Sequence, residues 1–214
     1  MKVIVIPVTP FEQNCSLLIC EQNNHAAIVD PGGDIERILA AIDEAGVTVE
    51  KILVTHGHVD HAGGVSELAK RLNLPVEGPQ RGDKFWIDQI PEQASQFGFG
   101  ESDAFEPDRW LEDGDTVEVG NNKLHVIHAP GHTPGHVVFY DAAARLAVVG
   151  DVLFRGSIGR TDFPGGNHQD LLDSIRMKLF PLGDDVRFIP GHGPVSTFGD
   201  ERQHNPFVRD SGVA

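Results

Sequence analysis

The chain has 214 residues, 40% hydrophobic and 23% charged, enough for one ordinary domain with a full core and unlike disordered or membrane-spanning compositions. Its formal net charge of -15 argues against a nucleic-acid partner, because such proteins present basic surfaces to the phosphate backbone. No run reaches the roughly 20 apolar residues of a membrane span, and the N-terminal stretch shows no cleavage signature, so a cytoplasmic protein that keeps clear of membranes is expected.

The first strand-length apolar runs are KVIVIPV (2–8), CSLLIC (15–20) and AAIVD (26–30). Cys15 and Cys20 fall on opposite faces of the second run, so buried free thiols are expected rather than a disulfide. Asp30 closes the third run, where it suits a loop-organising role better than direct ligation, and Gly32 and Gly33 read as turn residues. Ile35, Ile38, Leu39 and Ile42 share one helical face, with Asp34 as N-cap and Gly46 as stop. KILVT (51–55) leads into HGHVDHAGG, after which Val65, Leu68, Ala69 and Leu72 repeat the helical spacing.

Residues 81–110 have poor periodicity and dense aromatic and acidic residues. They read first as a surface excursion over a sheet edge, with a lid or subunit contact as the sharper alternative. Strand patterns resume at DTVEV (115–119), KLHVIHA (123–129), HVVFY (136–140) and RLAVVGD (145–151). A third helical face, Leu171, Leu172, Ile175 and Leu179, stops before Pro181, and VRFIP (186–190) closes the series. Strands interleaved with helices imply a layered α/β protein.

Chemistry gathers where the chain leaves these strands. KILVT leads to His56, His58, Asp60 and His61; KLHVIHA leads to His132; RLAVVG to Asp151; VRFIP to His192. Carboxyl ends of strands are where loops converge on a site in layered α/β folds. Imidazole and carboxylate suit zinc, iron and manganese. Seven such groups exceed the four that a tetrahedral zinc uses, so two divalent ions are implied, zinc foremost and iron or manganese also suited. An extended loop would put His56, His58 and Asp60 on one face and turn His61 to a second ion. His25, His125, His168 and His204 read as ordinary polar residues, while His128 and His136 are divided between supporting the ligands and packing the loop.

THGHVDH, PGHTPGH, GDVLF and PGHG together resemble the metallo-β-lactamase superfamily. FRGSIGRTDFPGG and PGHGPVSTFGDERQHNPF are similar to its short glyoxalase II-like hydrolases. The resemblance implies a four-layer αβ/βα sandwich formed by residues 1–214 as a single domain. It places His56, His58 and His132 on one metal and Asp60, His61 and His192 on the other, with Asp151 bridging and with Asp60 and Asp151 as the catalytic carboxylates. The commonest true β-lactamases carry cysteine at the position of Asp151, so the aspartate points to the hydrolase and oxygenase branches. Longer glyoxalase II enzymes add a C-terminal helical domain. Only 22 residues follow His192 (214 minus 192), so that domain and its substrate contacts are not expected.

The implied activity is hydrolysis of S-lactoylglutathione or a related thioester, with Arg160 as an anchor for an anionic substrate or, equally, as a structural partner of Asp162. A persulfide dioxygenase using iron on His56, His132 and Asp151 is the runner-up. A metal-dependent nuclease fits the charge poorly, and a non-catalytic metal-binding module does not need the full ligand set. The residues leave oligomeric state open.

Overall fold

The structure, a computed structural model, describes residues 1–209. Five strands form one sheet in chain order: β1 (Lys2–Val8), β2 (Gln13–Ile19), β3 (His25–Val29), β4 (Thr48–Leu53) and β5 (Val76–Glu77). A second sheet contains β6 (Thr116–Val119), β7 (Asn122–His128), β8 (Val137–Asp141) and β9 (Leu146–Gly150). A small hairpin, β10 (Leu153–Phe154) and β11 (Ser157–Ile158), follows, and then β12 (Arg187–Pro190) and β13 (Ser196–Thr197) complete the second sheet in the order β13-β12-β9-β8-β7-β6. Pairing is parallel at β3–β4, β4–β5 and β9–β12, and antiparallel elsewhere.

Three buried layers make this a sandwich. Alternate residues of one strand go to different layers, as a period of two requires. In the first sheet Leu18, Ala27, Val29 and Leu53 face the second sheet, where they meet Val117, Val126, Phe139, Val148 and Ile189. Their neighbours Leu17, Ala26, Ile28 and Ile52 face outward under helices. Val138, Tyr140, Ala147 and Val149 do the same on the far side of the second sheet. Strands covered on both faces read as continuous apolar runs, which is why the longer ones stand out in the sequence. At roughly 1.5–3 kcal/mol per fully buried large apolar side chain, these layers supply most of the driving force.

Helix α1 (Ile35–Ala45) buries Ile35, Ile38 and Ile42 on the first sheet and ends at Gly46, whose φ of 63° suits glycine. Asp34 occupies the N-cap position but makes no capping bond. Its carboxylate accepts from the backbone N–H of Thr9 instead, at 2.8 Å, so the expected cap is a loop clamp. After the one-turn α2 (Val59–Ala62), α3 (Val65–Leu72) covers the same face. Residues 81–110 contain α4 (Lys84–Asp88) and α5 (Ile90–Phe97). On the opposite face lie α6 (His168–Asp173), which runs on through a π turn over Ser174–Leu179, and α7 (Phe198–His204). Leu171, Ile175, Leu179 and Phe198 pack there. Both cysteines are free and buried, and no helix of the described residues is long and apolar enough to cross a membrane.

Candidate metal centre

The carboxyl ends of β4, β9 and β12 and the β7–β8 loop meet at one edge of the sandwich. The backbone joins them there: Val137 N–H donates to Thr55 O at 2.8 Å, Gly191 N–H to Gly150 O at 2.8 Å, and Asn14 N–H to Gly191 O at 2.7 Å. All seven residues singled out above come together at this edge, in two groups. His56, His58 and His132 are one group of possible metal-holding atoms, and Asp60, His61 and His192 another. His58 Nδ1 lies 3.1 Å from His56 Nε2 and 3.0 Å from His132 Nε2. His192 Nε2 is 3.1 Å from Asp60 Oδ2. Asp151 lies between the groups, with Oδ1 3.2 Å from His61 Nε2 and Oδ2 3.6 Å from His132 Nε2 and 3.7 Å from His192 Nε2.

One local expectation fails. The loop is extended only as far as His58 (φ -71°, ψ 147°), and α2 begins at the next residue. Asp60 and His61 therefore sit on one helical turn, and both turn toward His192, while His56 and His58 face His132. Asp60 does not share a face with His56 and His58.

Hydrogen bonds at the outer ring nitrogens fix which nitrogen points inward. A carbonyl can only accept, so His132 Nδ1 donates to Arg160 O at 2.7 Å and His192 Nδ1 to Phe11 O at 3.0 Å. His61 Nδ1 donates to Asp30 Oδ2 at 2.9 Å. The Thr55 hydroxyl donates to Asp30 at 2.6 Å, so it accepts from His56 Nδ1 at 3.1 Å. His56 and His132 are left with a bare Nε2 lone pair directed into the centre, while His61 and His192 aim Nε2 at the carboxylates of Asp151 and Asp60. His58 Nδ1 can serve at most one of the two lone pairs it faces, and the buried His58 Nε2 has no hydrogen-bond partner. Converging lone pairs repel in a dry interior unless a cation lies among them, so the donor set fits divalent metal, with the outer acceptors orienting the rings.

Electrostatics divides the centre in the same way. Burial, reinforced by His132, pushes His58 down to about 3, and burial with His61 holds His56 well below the ordinary histidine value. Burial also disfavours charge on His61, but Asp151 and Asp60 outweigh it and hold the ring well above that value. Against its own burial, Asp151 is kept ionised chiefly by His61. The three-histidine group is neutral and rich in lone pairs; the other is rich in carboxylate.

Supporting residues explain the remaining signals. Asp30 could be counted as a ligand with His56 and His61, yet its oxygens are taken by Thr55 N–H, the Thr55 hydroxyl and His61 Nδ1, so it orients rather than ligates. His136 accepts from Asp151 N–H at 3.1 Å and stacks on His56 at 4.7 Å, which places it in support of the ligands. His128 donates to Pro134 O at 2.8 Å and packs the loop. Gly32 closes a tight turn, its N–H bonding Asp30 O at 2.9 Å, and is also a site of close approach, since a Cβ there would fall 1.6 Å from Asp60 O. A Cβ on Gly191 would fall 2.0 Å from Asp151 Oδ1, so backbone passes directly beside the centre at both positions.

A cavity of about 780 Å³ opens over the centre, and Phe11, Trp86, Phe97, Phe154, Ile158 and Phe163 supply its apolar walls. Residues 81–110 are thus more than an excursion. Arg109 N–H bonds Val76 O at 3.2 Å and covers the edge at β5, while α4 and α5 form a wall of the cavity. Sequence reading missed Trp86, Gln93 and Asp83 in this segment, because two short helices that bury a glutamine and an aspartate break any apolar period. Arg160 stands at the rim, paired with Asp162 at 2.7 and 2.8 Å and lying 3.9 Å over the Phe163 ring.

Comparison with known proteins places this geometry. A profile of the metallo-beta-lactamase superfamily matches residues 8–192. The chain is 45% identical to hydroxyacylglutathione hydrolase GloC of Haemophilus influenzae, over 97% of this chain and 98% of that protein. A probable metallo-hydrolase of Bacillus subtilis, YqgX, is 37% identical over 97% and 98% of the two chains. Among solved structures, a di-iron-bound form of TTHA1623 superposes with a TM-score of 0.87 at 36% identity, covering 96% of this chain and all of that one. The B3 metallo-beta-lactamase BLEG-1 superposes at 0.90 with 35% identity, covering 98% and 100%.

Proposed function

The chain belongs to the metallo-β-lactamase superfamily and is a metal-dependent hydrolase, and from that premise we propose that it cleaves acyl thioesters in the manner of glyoxalase II, with S-lactoylglutathione as the first substrate to assay. The observation that carries this reading is the position of Asp151 between two three-residue donor groups beneath an apolar cavity. His56, His58 and His132 would hold one cation and Asp60, His61 and His192 a second, with Asp151 shared. When bound, such ions polarise a carbonyl and lower the pKa of water from 15.7 to about 7.

The chain's own groups do the rest. Asp60 and Asp151 are held ionised against burial by His61, so both accept hydrogen bonds from an attacking water and orient it. The aromatic walls seat an acyl group and exclude bulk water. A departing thiol has a pKa of about 8.5 and leaves as thiolate without a dedicated acid. At the rim, a substrate carboxylate reaches Arg160 only by displacing Asp162. Exposed pairs of that kind are worth about 1 kcal/mol or less, so Arg160→Gln raises KM for a glutathione thioester by no more than about fivefold and leaves kcat in place.

The GloC similarity supports this reading over persulfide oxidation, which would use His56, His132 and Asp151 of the same centre. The test follows loss of thioester absorbance from S-lactoylglutathione, alongside oxygen uptake with glutathione persulfide and nitrocefin cleavage. Thioester turnover that stops on chelation and returns with metal is expected. Oxygen uptake or nitrocefin cleavage without thioester turnover would overturn the proposal.

A further inference from the structure

Asp83 sits in the short 3-10 turn Arg81–Asp83, immediately before α4, and is fully buried. Its Oδ2 accepts from Gly57 N–H at 2.9 Å and from the Thr133 hydroxyl at 2.8 Å, and its Oδ1 accepts from Gly135 N–H at 2.6 Å. All three partners are neutral donors. Gly57 lies between His56 and His58, while Thr133 follows His132 directly. The first loop leaves the first sheet and the second joins β7 to β8 in the other. One carboxylate therefore ties together, across the two sheets, the two loops that carry the three-histidine group. Gln93 fastens the same loop from α5, accepting from Val59 N–H at 3.1 Å while donating to Trp86 O at 2.8 Å.

We propose that Asp83 is a positioning residue for the cation held by His56, His58 and His132. It fixes the separation between two independent loops, and that separation sets the 3.0 and 3.1 Å nitrogen contacts from His58 to His132 and His56. The choice of a carboxylate follows from its partners: three donors converge on two oxygens, and only an acceptor-only group satisfies all of them. An amide of the same shape cannot. Whichever oxygen becomes the NH2 group, its hydrogens meet the backbone N–H of Gly57 or of Gly135, and the loops must part. Interior charge without an adjacent cation is unfavourable by itself, and burial pushes this carboxyl up to about 6. A side chain selected for packing alone would not carry that charge.

The inference rests on the reading that these histidines hold a metal, and the experiment separates the two. Holoprotein is dialysed against buffers of stepped free Zn2+, and metal per chain is measured by elemental analysis for wild type, Asp83→Asn and Thr133→Val. Asp83→Asn is expected to release one equivalent at about 10- to 100-fold higher free Zn2+ than wild type, the usual effect of losing a group that orients ligands, while the other equivalent follows the wild-type curve. Thr133→Val removes one of the three donors and shifts the same equivalent less; it decides the matter if Asp83→Asn does not fold. Retention curves matching wild type, or both equivalents weakened alike as general loosening would give, overturn the role of Asp83. A wild-type protein that retains no metal removes the metal reading itself.

Discussion

Asp83 also makes a prediction about pH. Its carboxyl titrates near 6 in the folded chain, where burial disfavours the charge, and near 3.9 when unfolded. A folded value above the unfolded one means that the contribution is fully present below pH 3.9 and is lost as pH rises through 6. Asparagine has nothing to titrate. The stability of metal-free wild type relative to metal-free Asp83→Asn should therefore fall by about 2–3 kcal/mol between pH 4 and pH 7. Urea midpoints across that range check it, and a constant difference would show that the carboxylate is compensated in the folded state. Among individual residues, the seven at the centre were legible because each lies where the chain leaves an apolar strand and four of them crowd into residues 56–61. Asp83 was not, because its partners are mostly backbone groups, which leave no trace in side-chain spacing. Arg160 was legible as a charge at the right place, and the structure shows it spending that charge on Asp162.

The short elements decide how the site is assembled. The hairpin of β10 and β11 contributes Phe154, Ser157 and Ile158 to the cavity, yet two-residue strands do not hold themselves. Its brace comes from the far C-terminal segment. Asn205 Nδ2 donates to Phe154 O at 3.3 Å and Ser157 O at 2.9 Å, and buried Glu201 accepts from Gly156 N–H at 2.7 Å. The stretch STFGDERQHNPF thereby has a physical role: α7 and the residue that follows it present Glu201 and Asn205 to a hairpin formed some 50 residues earlier. Asn205→Ala leaves two carbonyls without that partner and should cost about 1–3 kcal/mol, lowering the thermal midpoint and raising KM through the loosened wall. An unchanged midpoint and KM would mean that water replaces the amide. Strands β2, β3, β8 and β9 were readable because both their faces are covered. Four two-residue strands, β5, β10, β11 and β13, are too short to display a period. Helix α2 is a further case: one helical turn brings adjacent Asp60 and His61 into the same donor group, where an extended chain would have opposed them.

For the molecule as a whole, the layered fold packs two sheets face to face so that loops from both reach one centre. The order of layers followed from strands interleaved with helices, and the four-layer arrangement from the motif resemblance. The wall formed by α4 and α5 followed from neither, since its buried face mixes Trp86, Ile87, Ile90, Gln93 and Ala94 and lacks a clean apolar stripe. Charge acts at this scale too. Two divalent cations would add four positive charges, taking the net charge from -15 to about -11 and relieving self-repulsion. The claim on which everything else depends is that two cations occupy the two donor groups, and metal per chain tests it most directly. Elemental analysis of wild type and Asp60→Ala, purified without chelator and loaded with excess Zn2+ before desalting, is expected to give two equivalents and one. A wild type that never holds more than one, or an Asp60→Ala protein that still holds two, would contradict it.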